Sequence, residues 1–285
     1  MVQRLRLVVA LAGLAAAPFA AVLPVHAEIG SPWTAPSGTA VRLVAGDKNG
    51  GDLTGGVQIR LSPGWKTYWR YPGDSGVPPR FDWSGSENVA ALEVLWPAPV
   101  RFDDGGSFSI GYKKDVTLPF RVTPRDAAKP VDLKLSLDFA VCENICQPAT
   151  ASLTLTVPAE GAGSASPALA GALAAVPARD RLGATGTTAV ETAVLDNPPD
   201  GGKQQTIRVV ARVQDPAKAD LFVEGPTEDW ALPLPERETG PDGRTVFVLP
   251  VDGIPKGADV GATKLRFTLV DGGHAVEVDT LLSAR

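Results

Sequence analysis

The sequence has few of the residues on which most enzyme active sites depend. Its 285 residues include two cysteines, one methionine and two histidines. Because His26 lies in a segment that we expect to be removed, His274 alone remains for a Ser-His-Asp triad or a multi-histidine metal site. No glycine-rich loop follows a strand and opens a helix, so a phosphate-binding loop is not predicted. The inventory therefore excludes most common catalytic machinery.

Long apolar runs are also scarce, and the one that exists lies at the N-terminus. Arg4 and Arg6 precede an apolar stretch over residues 7–23, and Val25-His26-Ala27 follows as a small-x-small cleavage pattern. We interpret residues 1–27 as a cleaved signal peptide rather than a membrane anchor, because glycine and proline interrupt the run and small residues follow it. No later run approaches the roughly 18 apolar residues that a span requires. A periplasmic or extracellular mature chain without a membrane span is predicted.

Clusters of positive charge are absent as well. Loss of the signal removes two arginines and no acidic residue, so the formal net charge changes from -5 to -7. An acidic chain without Lys/Arg clusters is a poor partner for nucleic acid or anionic lipid. Neither partner is predicted.

Turn-forming residues are abundant: the chain has 30 glycines and 26 prolines, and turn residues separate short strand-like runs. The clearest run is Val131–Phe139, in which apolar residues at odd positions alternate with polar residues at even positions. Such alternation is typical of a strand with one buried and one wet face. The length suits two domains of roughly 100–130 residues each. We therefore predict an all-β protein of two immunoglobulin-like sandwiches.

A change in composition indicates where these domains meet. Residues 158–184 are rich in Ala, Gly, Ser and Pro and are interpreted as a linker, with a short helix expected over Pro167–Val176 and capped by Ser166. The first sandwich is then 28–157 and the second 185–285. The second carries no recognisable motif, and we expect it to pack or dock against the first.

The two cysteines form the pattern Cys142-Glu143-Asn144-Ile145-Cys146 between two predicted strands. Residues four apart in an extended chain are separated by roughly 13 Å, whereas a disulfide needs Cα atoms about 5.5 Å apart. A turn between the strands would permit the bond. Because the buried face of the preceding strand uses odd positions, parity places Cys142 on the polar face and predicts it to be the more reachable sulfur.

Three interpretations of the pair remain open. The pair could be a structural disulfide in a non-catalytic immunoglobulin-like module. Closing a ring of about five residues would then stabilise the fold by only roughly 2 kcal/mol, whereas a ring of about 100 residues contributes nearly 5 kcal/mol. As a Cu(I) site, it would have only His274 to complete the coordination. The third interpretation, a redox-active pair, is favoured because so short a bridge stabilises little. Glu143 and Asp138 are close in sequence and no cation is, so a strongly activated thiolate is not expected.

Three motifs resemble a known family. They are Gly64–Arg70 (GWKTYWR), Ile110–Pro119 (IGYKKDVTLP) and the cysteine pair followed by Pro148. Together, over roughly residues 40–157, they resemble the N-terminal periplasmic domain of the thiol:disulfide interchange protein DsbD and of its relative, the copper-sensitivity suppressor ScsB. The three-residue spacing between the cysteines is shorter than in the best-known DsbD proteins.

The resemblance implies a thiol:disulfide oxidoreductase that relays electrons through Cys142 and Cys146 without a cofactor or metal. It implies thioredoxin-fold periplasmic partners and, since the family's membrane and thioredoxin domains are not in this sequence, a separate membrane-borne reductant. A loop of aromatic and acidic residues shields the disulfide in family members. The candidates here for shielding or walling the site are Phe102, Asp103, Asp104, Phe108, Tyr68, Trp69, Tyr112 and Glu143.

Overall fold

The computed structural model describes residues 29–49, 51–103, 106–160, 165–197 and 204–284. Strands dominate the described chain, and they pair into four sheets. The predicted all-β, immunoglobulin-like class is confirmed. The predicted signal peptide, residues 1–27, lies outside the described residues.

The first pair of sheets is formed by the N-terminal strands. Their bounds are β1 (Thr39–Asn49), β2 (Asp52–Leu61), β3 (Lys66–Gly73), β4 (Arg80–Asp82), β5 (Val89–Val94), β6 (Val100–Asp103), β7 (Phe108–Tyr112), β8 (Val116–Pro124), β9 (Val131–Cys142) and β10 (Cys146–Val157). One sheet has the order β1-β2-β8-β5, and the other has the order β10-β9-β3-β7-β6 with β4 paired to β9.

Alternation along β9 explains how the two sheets pack. Val131, Leu133, Leu135, Leu137 and Phe139 are all buried in the core between the sheets. Because successive side chains of a strand point to opposite faces, the polar residues between them point away from that core. The two-faced strand that the pattern predicted is therefore present.

A helix joins the two halves of the chain, as expected. Helix α1 (Pro167–Ala174) begins after Ser166, whose hydroxyl accepts a hydrogen bond from the Leu169 amide at 3.3 Å. Leu169 is fully buried against the first sandwich, where Gly46 and Gly56 leave room for it. A β-carbon at Gly46 would lie 2.6 Å from a Leu169 methyl group.

The second pair of sheets follows. Its strands are β11 (Ala178–Asp180), β12 (Ala189–Asp196), β13 (Thr206–Arg212), β14 (Ala219–Glu224), β15 (Glu236–Thr239), β16 (Thr245–Pro250), β17 (Leu265–Asp271), β18 (His274–Thr280) and β19 (Ser283–Ala284). They form sheets of order β11-β18-β17-β14 and β15-β16-β13-β12-β19. His274 begins β18 directly after the turn at Gly272 and Gly273 and is exposed.

Strand β14 is buried on both faces. Leu221 and Val223 belong to the core of the second sandwich, whereas Phe222 belongs to the core cluster of the first. The ring of Phe222 lies 5.8 Å from that of Trp69 on β3, measured between centroids. The second sandwich therefore presents the outer face of one of its sheets to the first.

Candidate functional site

The two cysteines face each other at the end of a hairpin. Cys142 ends β9, Cys146 begins β10, and the register pairs them directly across the strands. Directly paired residues of antiparallel strands have Cα atoms about 4.5–5.5 Å apart, which is within the range of a disulfide. Three loop residues, 143–145, make the turn, and Ile145 at its tip is 77% exposed. The strand pairing thus holds both sulfurs where a bond can form and break.

The two sulfurs differ sharply in exposure, in the order opposite to the one expected from parity. Cys142 is 2% exposed, whereas Cys146 is exposed. Parity itself is correct, since Cys142 and Ala140 point away from the sandwich core. The outer face of the sheet was expected to be exposed to solvent, but at this end of β9 it is buried. Tyr68 and Phe102 pack there on Cys142 and Ala140 in a small apolar cluster. Cys146 is therefore the reachable sulfur.

Tyr68 connects the cover to the exposed sulfur. Its hydroxyl lies 2.9 Å from Cys146 Sγ. Burial, followed by hydrogen bonding to Cys146 and Cys142, raises the pKa of Tyr68 well above its ordinary value. The phenol consequently stays protonated at neutral pH and can donate its hydrogen bond to a thiolate at Cys146. The Tyr68 hydroxyl is thus a neutral hydrogen-bond donor beside the sulfur on which negative charge would form.

Phe102 supplies the other part of the cover, from two strands away. It lies on β6 and is 5% exposed, and its partner across the ladder on the intervening strand β7 is Ser109. Gly111, also on β7, shares that face with Phe102, and a β-carbon there would lie 2.0 Å from the Thr67 carbonyl oxygen. Small residues on β7 thus leave space for the Phe102 ring to reach Tyr68 and Cys142.

A lysine that sequence proximity did not reveal also borders the site. Lys66 on β3 pairs directly with Cys142 on β9, so both side chains lie on the same face. Its ammonium nitrogen lies 5.3 Å from the centroid of the Phe102 ring, in cation–π geometry. No cation is close to the cysteines in sequence, but Lys66 lies beside Cys142 because β3 is distant in sequence and adjacent to β9 in the sheet.

The segment that follows β3 packs against the Tyr68 ring at Gly76. A β-carbon at Gly76 would lie 2.6 Å from Tyr68 Cδ1 and 2.5 Å from Pro72 Cβ. The Asp74 amide donates to the Phe108 carbonyl oxygen at 3.0 Å and so fixes this segment to β7. The phenol is held between a folded-back loop and the cysteine hairpin.

The remaining candidate residues lie elsewhere. Trp69 and Tyr112 pack in the core between the sheets, and the Tyr112 hydroxyl donates to the Pro97 carbonyl oxygen at 2.9 Å. Phe108 is 43% exposed, outside the cluster that covers Cys142. Asp103 and Glu143 are exposed, and Asp104 lies outside the described residues. Of the aromatic candidates, the structure brings Tyr68 and Phe102 to the sulfurs.

The family's shielding loop was expected at residues 102–108, but this segment contains the end of β6 and the start of β7. The signal for a hairpin was present, since Val100-Arg101-Phe102 and Phe108-Ser109-Ile110 flank an Asp-Asp-Gly-Gly turn. Placing Phe102 on a strand would have shown that its side chain shares a face with Val100 rather than Arg101.

The fold and the site together define a class of protein. It is an all-β protein of two sandwiches with one cross-strand cysteine pair at the end of the first. Within the described ranges, no group of three or more His, Cys, Asp or Glu side chains could hold a metal ion, and no helix is long and apolar enough to cross a membrane.

Comparison with known proteins finds a family model similar to the first sandwich. Residues 35–158 match the family model described as thiol:disulfide interchange protein DsbD, N-terminal, and residues 175–285 match a domain of unknown function, DUF8393. The resemblance that the motifs predicted is confirmed: residues 35–158 are similar to DsbD N-terminal domains. No curated protein matches the sequence.

A solved structure resembles the chain across both sandwiches. It is the N-terminal periplasmic domain of ScsB from Proteus mirabilis, with a TM-score of 0.67 and 24% sequence identity. The match covers 90% of this chain and 99% of that one. At this identity the likeness establishes the fold.

Proposed function

We propose that the protein carries out thiol–disulfide exchange through Cys142 and Cys146. One observation carries the proposal: an exposed sulfur, Cys146, lies 2.9 Å from the hydroxyl of a buried phenol and is paired across the strands with a covered sulfur, Cys142. A structural staple has no need of one accessible sulfur with its own donor. The family of the first sandwich supports the same chemistry.

The exposure of the sulfurs assigns their order of reaction. In the dithiol form, the Cys146 thiolate attacks one sulfur of a partner disulfide, and a mixed disulfide forms as the partner's other sulfur leaves and takes up a proton. Deprotonated Cys142 then attacks Cys146 Sγ and closes the Cys142–Cys146 disulfide. The partner leaves as a dithiol, having gained two electrons and two protons. The reverse sequence regenerates the dithiol form from a reduced partner.

The partners are proposed to be thioredoxin-fold proteins of the periplasm. The similar family is that of a thiol:disulfide interchange protein, and the similar ScsB structure is that of a periplasmic domain. A predicted signal peptide at residues 1–27 is consistent with that compartment. The exposed Ile145 beside Cys146 gives an incoming partner an apolar contact at the point of attack.

The decisive experiment uses single cysteine variants in periplasmic extract. Cys142→Ser should accumulate a mixed disulfide through Cys146, because no second sulfur remains to resolve it. Cys146→Ser should accumulate far less, since Cys142 is covered. Cys142→Ser/Cys146→Ser is the control for nonspecific capture. A stable, folded Cys142→Ser protein that forms no thioredoxin-fold adduct would remove the support for exchange.

The redox potential separates exchange from a structural disulfide. Structural disulfides resist reduction, with potentials below about -300 mV, whereas relay disulfides lie nearer -200 mV. Equilibration with glutathione and thioredoxin buffers measures the potential of the wild-type pair. We expect a value close to -200 mV, and one below about -300 mV would favour the staple.

A further inference from the structure

We infer that strand β14 of the second sandwich positions the two aromatic side chains that cover the cysteines, so that the second sandwich controls access to the site. This inference rests on the proposed function and gives the second sandwich a part in it. The two strands that carry the cover are β3, with Tyr68, and β6, with Phe102.

Each of these strands is anchored to β14 by an arginine close to its aromatic residue. Arg70, two residues after Tyr68, donates to Glu224 through Nε at 2.8 Å and through Nη2 at 2.7 Å. Arg101, adjacent to Phe102, donates to Asp220 through Nε at 3.1 Å and through Nη2 at 2.6 Å. Both pairs are two-pronged, a geometry that fixes orientation as well as distance.

The surroundings make these anchors stiff. The side chains of Arg70 and Glu224 are 19% and 12% exposed, and those of Arg101 and Asp220 are 22% and 26% exposed. Arg101 also donates to the Pro235 carbonyl oxygen at 3.0 Å. Between the two ion pairs, Phe222 packs on Trp69, which neighbours Tyr68. Alternate residues of one strand therefore hold β3 and β6 at a fixed separation.

The consequence concerns Cys142. Its cover exists only while Phe102 from β6 and Tyr68 from β3 meet over it, and β7 between them offers only Ser109 and Gly111 on that face. A change in the separation of β3 and β6 would part the two rings. Loosening β14 should therefore expose Cys142, although β14 touches the opposite side of these strands.

The test measures alkylation of Cys142 by iodoacetamide in the full chain carrying Cys146→Ser, so that one thiol reports. Asp220→Asn with Glu224→Gln removes both carboxylates with little change of shape. We expect Cys142 to react at least about tenfold faster. Arg70 also pairs with Glu277 on β18, and Glu277 is left intact because it binds Arg179 and Arg266 within its own sandwich.

Two further variants keep the test decisive. Glu191→Gln, which breaks ion pairs with Arg212 and Arg244 inside the second sandwich, is the matched control and should leave the rate unchanged within about twofold. Arg101→Asp with Asp220→Arg reverses one anchor and should restore slow alkylation relative to Asp220→Asn.

Equal acceleration by Glu191→Gln would overturn the inference. So would an unchanged rate of Cys142 alkylation in the double carboxylate variant. Alkylation uses no partner protein, so this result is independent of whether the wild-type chain forms mixed disulfides.

Discussion

Two sheet faces that point away from their own cores are both covered, but by different means. At the end of β9, Cys142 is covered by apolar side chains of its own sandwich, Tyr68 and Phe102. On the outer face of β14 the cover is the other sandwich, held by two ion pairs around Phe222. The two covers differ in what they shield: the first hides one sulfur of the proposed exchange site, and the second joins the two sandwiches.

The strongest test of that comparison is Phe222→Ala. Truncating a buried phenylalanine typically costs about 3–5 kcal/mol, and here the loss should fall on the contact between the sandwiches. Denaturant unfolding should show a lowered midpoint, together with faster alkylation of Cys142. Phe247→Ala is the matched control, because Phe247 is equally buried but belongs only to the core of the second sandwich. If Phe247→Ala exposes Cys142 as much, the contact has no special role.

Acid should weaken the second sandwich before it affects the cysteine cover. Burial raises the pKa of Asp271, but hydrogen bonds from the Gln214 and Asp215 amides and the Thr188 hydroxyl outweigh it, so the pKa is lowered overall. A lowered folded-state pKa stabilises the fold above the unfolded value of about 3.9, and this stabilisation is lost as pH falls below it.

The expected contribution of Asp271 at neutral pH is about 1–3 kcal/mol, the cost of leaving charged hydrogen bonds unmade. Asp271→Asn should lower stability at pH 7 and flatten its decline between pH 4 and pH 3. Equilibrium unfolding across that range, followed by amide exchange in the second sandwich, provides the measurement. An unchanged pH slope in the variant would show that other carboxylates dominate.

Alternation of apolar residues predicted the strands and their core-facing sides, as at β9, because burial in the nearest core selects every second residue. It could not predict what covers the other side. Cys142 is hidden by Phe102 and Tyr68, which come from strands far away in sequence, and Lys66 reaches the site in the same way. Pairing between distant strands therefore determines which sulfur is exposed, and the alternation of apolar residues contains no information about that pairing.

A smaller effect is expected from Cys142→Ala/Cys146→Ala. A bridge that closes a ring of about five residues removes little entropy from the unfolded chain, so the loss should not exceed roughly 2 kcal/mol, against the 5–15 kcal/mol typical of domains. Exchange activity should vanish while the fold persists. Denaturant unfolding of the variant beside oxidised wild type, comparing midpoint and slope, provides the measurement. Collapse of the first sandwich would instead make the pair structural.

The subtlest change, Tyr68→Phe, keeps the cover and removes only the hydroxyl that contacts Cys146. Without this donor for negative charge on the reacting sulfur, alkylation of Cys146 at pH 7 should be roughly tenfold slower, because a hydrogen bond to a charged group contributes about 1.5–3 kcal/mol. Tyr112→Phe is the matched control, since its buried hydroxyl binds Pro97 in the core and not a sulfur. The rate of Cys142, measured with Cys146→Ser, should stay slow in both variants because the aromatic cover remains. Equal slowing of Cys146 alkylation in both variants would mean that the Tyr68 hydroxyl has no specific effect on the sulfur. Faster alkylation of Cys142 in Tyr68→Phe would mean that the hydrogen bond itself holds the aromatic cover in place.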